Sequence, residues 1–174
     1  MDDEPHRTSK TGPFASTARG VQTLLVLAIV IACVCRVRLL NEREVPVILQ
    51  CGDDREYPWG SEWPPPAGWN YNSEESVGPR PRIADRRDKW PAACPVDESG
   101  RNDWGLHGVG DNVMEWTAAR GVLKEGRAHG PDWYDLLGAS WYFGRKDHLR
   151  CDYRSVLRSK YAPCYVGFRL VIGR

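Results

Sequence analysis

Residues 138–174 read GASWYFGRKDHLRCDYRSVLRSKYAPCYVGFRLVIGR, and this stretch decides how the rest of the chain is understood. Ala139, Trp141 and Phe143 alternate with Ser140 and Tyr142. Leu149, Cys151 and Tyr153 alternate with Arg150, Asp152 and Arg154. Val166, Phe168, Leu170 and Ile172 alternate with Gly167, Arg169 and Val171. A period of two places one row of side chains in a core and the other toward solvent or a groove. Three short strands are therefore expected, with Trp141 and Phe143 in the core and Tyr142 and Arg145 facing the other way. The third run is expected to tie the C-terminus into a sheet.

Outward from that stretch, the 174 residues accommodate one domain plus an appendage. A net charge of +1, with both signs spread along the chain, excludes a dedicated nucleic-acid binder, which would carry a basic face. Seventeen Gly and 13 Pro indicate a folded but loop-rich chain. Eight Trp stand out. Burying one removes roughly 150–250 Å² from water, a gross gain on the order of 4–6 kcal/mol. Ordering each residue costs about 1.5 kcal/mol, so the indoles alone do not hold well over a hundred residues, and metal ions or disulfides are natural staples. Of six cysteines, Cys33 and Cys35 lie in an apolar run, whereas Cys51, Cys94, Cys151 and Cys164 are scattered. No C-x-x-C pair occurs, which argues against a zinc ribbon or a thioredoxin-type site. Buried thiols and disulfides both remain open, the second if the domain is exported.

Taken in order, residues 1–20 are polar, mixed in charge and expected to be disordered. Residues 21–35 (VQTLLVLAIVIACVC) carry no charge but fall short of the about 20 residues that cross a bilayer comfortably. Three readings apply: a signal-peptide core with Val30-Ile31-Ala32-Cys33 as a lipoprotein-like cleavage box, a short membrane anchor, or a core helix. The first two imply membrane association through 21–35 and a membrane-anchored or exported protein of a bacterial envelope. The third implies a cytoplasmic one. Asn41 to Glu44 has the form of a capping box, and Pro46 is expected to truncate or kink the helix it opens. Residues 56–66 should be extended and irregular. Residues 69–90 read as a loop with oxygen donors and interleaved arginines, and 92–98 as a short edge strand. The glycines of 105–116 match neither dinucleotide-binding nor phosphate-loop spacing.

Eight motifs then occur in order: Tyr57-Pro-Trp-Gly60, Asn70-Tyr71-Asn72, Ala93-Cys-Pro-Val96, Gly105-Leu106, Asp111-Asn-Val-Met-Glu-Trp-Thr117, Gly138-Ala-Ser-Trp141, Tyr153-Arg154-Ser155 and Gly167-Phe-Arg-Leu-Val171. Together they resemble the formylglycine-generating enzyme family, also called sulfatase-modifying-factor domains. The resemblance covers residues 38–174 and implies an α+β, irregular, loop-rich, C-type-lectin-like fold with short antiparallel strands, shortened at its N-terminal side. It implies calcium as cofactor. A first site would use Asn70, the Tyr71 carbonyl, Asp88 and the Trp90 carbonyl, and a weaker second one Asp111, Val113 and Glu115, with Gly108 where the family has a ligand. Mixed side-chain and backbone oxygens suit a hard cation.

The same resemblance bears on chemistry. Oxidases of this family hold copper(I) through two cysteines four residues apart, soft ligands suited to that ion. Here those positions fall on Trp141 and Lys146, or on Phe143 and His148, and neither pair is thiol. The chain is therefore expected to bind no copper and to serve as a binding or structural module. Tyr142, Arg145 and His148 would form a face for a peptide, protein or sugar ligand. The alternative is an active oxidoreductase of the family acting on a protein cysteine or a small thiol. His6, His107, His129 and His148 lack metal-ligand spacing.

Overall fold

The computed structural model describes residues 36–77, 79–121 and 129–173, so the readings of 1–20 and 21–35 fall outside it. Among the described residues no helix is long and apolar enough to cross a membrane. The chain divides into two compact units, one of residues 1–38 and 172–174 and one of 39–171. β1 (Val37–Leu39) and β6 (Leu170–Ile172) pair as a two-stranded sheet, and in the first unit the Gly173 N–H donates to the Arg36 carbonyl (3.1 Å). The C-terminus is thus tied into a sheet, as its alternation predicts.

The second unit opens with α1 (Glu44–Gln50). Asn41 Oδ1 accepts from the N–H groups of Arg43 (3.0 Å) and Glu44 (3.2 Å), and Glu44 Oε2 accepts from the Asn41 N–H (3.0 Å). This is the reciprocal capping box read from the sequence. Pro46 does not break the helix. It is the third helical residue, where an N–H would have no intrahelical acceptor in any case. Cys51 ends the helix in a left-handed conformation at φ 52°.

A four-stranded sheet in the order β4-β3-β2-β5 anchors the rest, formed by β2 (Met114–Arg120), β3 (Trp133–Leu137), β4 (Ser155–Arg158) and β5 (Val166–Phe168). β2–β3 and β3–β4 are antiparallel, but β2 and β5 run parallel, with Trp116 opposite Phe168. That pairing departs from the all-antiparallel expectation. β2 also runs four residues beyond Trp116, to Arg120.

The closing stretch keeps its burial better than its strands. Trp141 and Phe143 are buried, but residues 138–143 form no strand. Their backbone groups bond to a glycine-rich loop instead: the Ala139 N–H to the Gly110 carbonyl (3.2 Å) and the Trp141 N–H to the Asn112 carbonyl (2.9 Å). Residues 149–154 are likewise turns, with Leu149 and Cys151 buried. In the third run Val166 packs against the core, but the rest of its apolar row does not. Phe168, Leu170 and Ile172 are 66%, 54% and 76% exposed, while Arg169 and Val171 are half-buried. The cause is an ion pair, described below, that draws Arg169 inward. Residues 96–98 form a 3-10 turn rather than an edge strand. Cys51, Cys94, Cys151 and Cys164 are free thiols.

Two apolar clusters make the core of this unit. One gathers Tyr57, Trp69, Tyr71, Ile83, Met114 and Phe143; the other gathers Leu40, Val45, Leu49, Val109 and Leu137. The aromatic loops pack on themselves, with Tyr57 stacked on Trp59 at 4.6 Å. Ring packing of this kind contributes beyond its area, which lets loops do what a larger sheet would otherwise do.

Candidate functional site

Loops carry no ladder, so their buried backbone groups need side-chain partners. Asn70 and Asn72 supply them. The Asn70 N–H donates to Asp111 Oδ2 (2.8 Å), and Asn70 Nδ2 donates to the Ala92 carbonyl (3.0 Å) and Asn112 Oδ1 (3.1 Å). Asn72 Nδ2 reaches the carbonyls of Arg80 (3.2 Å), Pro81 (3.2 Å) and Tyr142 (3.5 Å), and its N–H donates to the Phe143 carbonyl (3.0 Å). One asparagine therefore ties the Arg80 loop to the aromatic segment.

In the first candidate metal set, two backbone N–H groups hold the Asp88 carboxylate. Asp88 Oδ1 accepts from the Trp90 N–H (3.0 Å) and Oδ2 from the Tyr71 N–H (3.2 Å). Burial pushes the Asp88 carboxyl upward, partly offset by these bonds and by the nearby Arg86 cation. The Asn70 Oδ1 atom is buried and has no hydrogen-bond partner among the described residues. An unpartnered hard oxygen on Asn70 and a carboxylate on Asp88 are donor types that calcium takes. The set has only one carboxylate, and no cluster of three His, Cys, Asp or Glu occurs among the described residues.

The second set meets a cation already in place. Arg169 Nη2 lies 2.8 Å from Glu115 Oε1 and donates to the His107 carbonyl at 2.6 Å, and its Nε donates to the carboxylate at 3.0 Å. Glu115 is buried, so desolvation raises its carboxyl while the Arg169 guanidinium draws it back down. Calcium at Glu115 would have to displace this guanidinium.

Asp111, in the same loop, accepts from the N–H groups of Asn70 and Gly100 (2.9 Å) through Oδ2, while Oδ1 is buried without a partner. Burial first, and then the Glu115 charge, raise its carboxyl from 3.8 to about 7. The folded chain thus holds a proton that the unfolded chain has released, and stability falls as pH rises from the unfolded value to about 7. Asp111→Asn keeps an acceptor for both N–H groups and abolishes this titration. Melting temperatures at pH 5 and pH 8 are expected to fall further apart in the parent than in Asp111→Asn. Equal spacing in both would show that Asp111 titrates normally.

The aromatic face forms from the segment after Trp141. Phe143 and His148, one of the two pairs aligned with the family's cysteines, meet edge-on at 5.3 Å. His148 also lies 4.8 Å from the Tyr153 ring, and burial together with Arg145 and Arg80 lowers its basicity. In the other pair, Trp141 is buried and the Lys146 ammonium sits over the Trp63 ring at 5.6 Å. Tyr142 stacks on Tyr165 at 5.0 Å and 7°. The Arg80 guanidinium lies 4.7 Å from the Tyr142 ring and 4.9 Å from that of Phe143. Tyr142 and His148 therefore come together around Phe143, whereas Arg145 is exposed and paired with Asp147 at 2.9 Å. Arg80, Asn72 and Tyr165 were not legible as site residues, because Arg80 lies in a run of arginines and acids that reads as a solvated loop. Gly144 was a usable signal. A Cβ there would stand 2.5 Å from the Pro81 carbonyl oxygen, so only glycine lets the Arg80 loop close on the aromatic segment. The thiol nearest in sequence, Cys151, is buried and its pKa is pushed up to about 12 by desolvation.

Comparison with known proteins agrees with this architecture. The family model for the sulfatase-modifying factor enzyme 1-like domain matches residues 9–174. Among solved structures, CarF is 21% identical with a TM-score of 0.55, covering 78% of this chain and 46% of its own. PvdO from Pseudomonas aeruginosa is 20% identical with a TM-score of 0.54, covering 78% of this chain and 52% of its own. Treponema denticola variable protein 1 is 19% identical with a TM-score of 0.56, covering 77% of this chain and 46% of its own. At these identities the likeness is one of fold, and the aligned region spans about half the length of each solved relative. No curated protein matches the chain.

Proposed function

This chain belongs to the sulfatase-modifying factor enzyme family, and we propose that within it the domain binds ligands without carrying out the oxidation. The observation that carries the reading is the edge-on contact of Phe143 with His148, one of the two residue pairs that the resemblance aligns with the two thiols of the family's oxidases, the other being Trp141 and Lys146. Copper(I) is soft and needs thiolate donors. A neutral imidazole beside a phenyl ring is not such a site, and Cys151 is held protonated by burial. The scaffold assumed here is the loop-rich, C-type-lectin-like fold that the family resemblance implies.

The ligand face is Tyr142, His148 and Arg80, with Arg145 at its exposed margin. The rings offer flat apolar surface, and the guanidinium that lies over them offers N–H donors. Peptides and sugars both present carbonyl, carboxylate or hydroxyl oxygens to such a group. Calcium is a structural ion in this reading, held by Asn70, the Tyr71 carbonyl, Asp88 and the Trp90 carbonyl. Membrane association or export through residues 21–35 belongs to the same proposal, since both would place a binding module at an envelope surface.

A copper(I) titration of the full chain, with a cysteine-containing sulfatase peptide under oxygen, tests the central point. No stoichiometric binding and no conversion of the cysteine are expected. Tight one-to-one binding with turnover would establish the oxidoreductase instead. Calcium is checked separately. Chelation should lower the melting temperature of the parent but not that of Asp88→Ala, because binding to the folded state alone stabilises it. Melting curves indifferent to chelator in both proteins would remove the ion from the account.

A further inference from the structure

The loop that carries Arg80 is fixed at its backbone. Asn72 Nδ2 donates to the carbonyls of Arg80 and Pro81 (3.2 Å each), and the Asn72 carbonyl accepts from the Ile83 N–H (2.8 Å). Gly144 packs against the same loop, since a Cβ there would stand 3.0 Å from the Arg82 Cα. The Arg80 guanidinium lies over Tyr142 at 4.7 Å and Phe143 at 4.9 Å, although the residue as a whole is exposed. A cation held at both ends loses little freedom when it takes a ligand.

Its donors are uncommitted. Attraction to ring faces draws on the charge and leaves the five N–H groups of a guanidinium available. Among the described residues the Arg80 side chain donates no hydrogen bond and meets no carboxylate. The other arginines of the loop are engaged. Arg82 donates to the Ser76 carbonyl (2.9 Å), Arg86 to the carbonyls of Pro66 (2.8 Å) and Trp69 (2.7 Å), and Arg87 pairs with Glu74 (2.5 Å). Asp147, in the aromatic segment, is held by Arg145 through bonds of 3.1 Å and 2.9 Å. Burial lowers the basicity of His148, Asp147 raises it, and Arg145 and Arg80 lower it again, so two cations and one carboxylate act on this ring. The face therefore carries an uncompensated positive charge.

Resting on the ligand face described above, we propose that its ligand is an acidic peptide, whose carboxylate pairs with the Arg80 guanidinium beside Tyr142 and His148. A carboxylate matches the guanidinium fork with two parallel bonds, and a charge-assisted bond is about twice as strong as a neutral one. A neutral carbonyl or hydroxyl would leave the charge uncompensated. A sugar would bring several hydroxyl groups that must exchange water for protein partners, and Arg145, at the margin, is already paired with Asp147. A peptide brings an anion with an apolar neighbour, which suits a free cation set among rings.

Chemical-shift titration of the isotope-labelled full chain tests this, with two capped decapeptides of glycine and serine that differ only in a central Asp-Phe or Asn-Phe. The Asp peptide is expected to bind about tenfold tighter or more and to shift the amides of Tyr142, Phe143 and His148. Arg80→Gln should abolish that preference while leaving the Asn peptide bound. Its melting should be unchanged, because the Arg80 carbonyl rather than its side chain holds the loop. Lys160→Gln removes the same charge elsewhere and should keep the preference. The comparison of Asp and Asn peptides on the parent holds whatever the variants do to folding. Equal affinity for the two peptides would overturn the acidic ligand and leave the ligand face standing. No shift at the face with either peptide would overturn both. A preference that survives Arg80→Gln, or falls equally in Lys160→Gln, would refute the role of Arg80. Tighter binding of methyl glucuronide than of the Asp peptide would refute the peptide in favour of an acidic sugar.

Discussion

Gly138→Ala is expected to lower the stability of the 39–171 unit by about 2–5 kcal/mol, a large fraction of the roughly 5–15 kcal/mol that holds a typical domain. Two physical effects add. Gly138 has φ +70°, where an L side chain is strained by about 1–2 kcal/mol. Its Cβ would also stand 2.5 Å from the Gly110 Cα, 3.1 Å from the Gly110 nitrogen and 3.3 Å from the Gly110 carbonyl carbon. These are backbone atoms, so no rotamer change relieves the contact, and overpacking typically costs about 1–3 kcal/mol. Gly110 cannot retreat, because its own Cβ direction is filled by Pro58 at 2.5 Å and Leu49 at 2.9 Å. Gly105 provides the control. Its φ is +79° but nothing lies within 4 Å, so Gly105→Ala should show the strain alone. Urea midpoints of the full chain compare the two. If Gly138→Ala costs no more than Gly105→Ala, the close approach of the two loops is wrong.

Removing the guanidinium from the buried ion pair should be comparably costly. Arg169→Met is expected to destabilise by about 3–5 kcal/mol, because it leaves the Glu115 carboxylate, 5% exposed, without its partner. It also releases the His107 carbonyl, which loses its 2.6 Å donor. The double variant Glu115→Gln with Arg169→Met should recover much of that loss, since an amide buries at lower cost than an uncompensated charge. A double-mutant cycle on denaturation midpoints reads this coupling. Additive losses would mean that Arg169 acts by packing alone. The same variant bears on metal binding. Once Arg169 is gone, Glu115 and the carbonyls of Asp111 and Val113 lose their competitor. Millimolar calcium should then raise the melting temperature of Arg169→Met more than that of Arg169→Met with Glu115→Gln.

This pair also shows where reading strands from periodicity breaks down. The Val166–Ile172 alternation correctly marked a strand region but left open which row faces the core. A seven-residue pattern records that two faces differ, not which faces inward. That was decided by Glu115, fifty-four residues away in sequence, which draws Arg169 in and turns Phe168 out. The strand expected at 139–143 failed for a related reason. Its backbone found acceptors in the glycine-rich loop at Gly110 and Asn112, so the segment needed no ladder.

By itself the sequence determined the short capped helix, the burial of Trp141 and Phe143, the family through eight ordered motifs, and the lack of thiols from Tyr142 to His148. Each rests on residue identity or on neighbours a few positions apart: a side-chain oxygen three residues before a glutamate, or a missing sulfur. Tertiary structure alone decided that Arg80 lies over Tyr142, that Asn72 pins its loop there, that Arg169 occupies Glu115, and that β2 outruns β5. Those outcomes depend on contacts between segments 54 or more residues apart for Glu115 and Arg169, and about 60 for Arg80 and Tyr142. Over such separations, close packing of glycines and pairing of buried charges choose the partner, and local pattern carries no record of the choice.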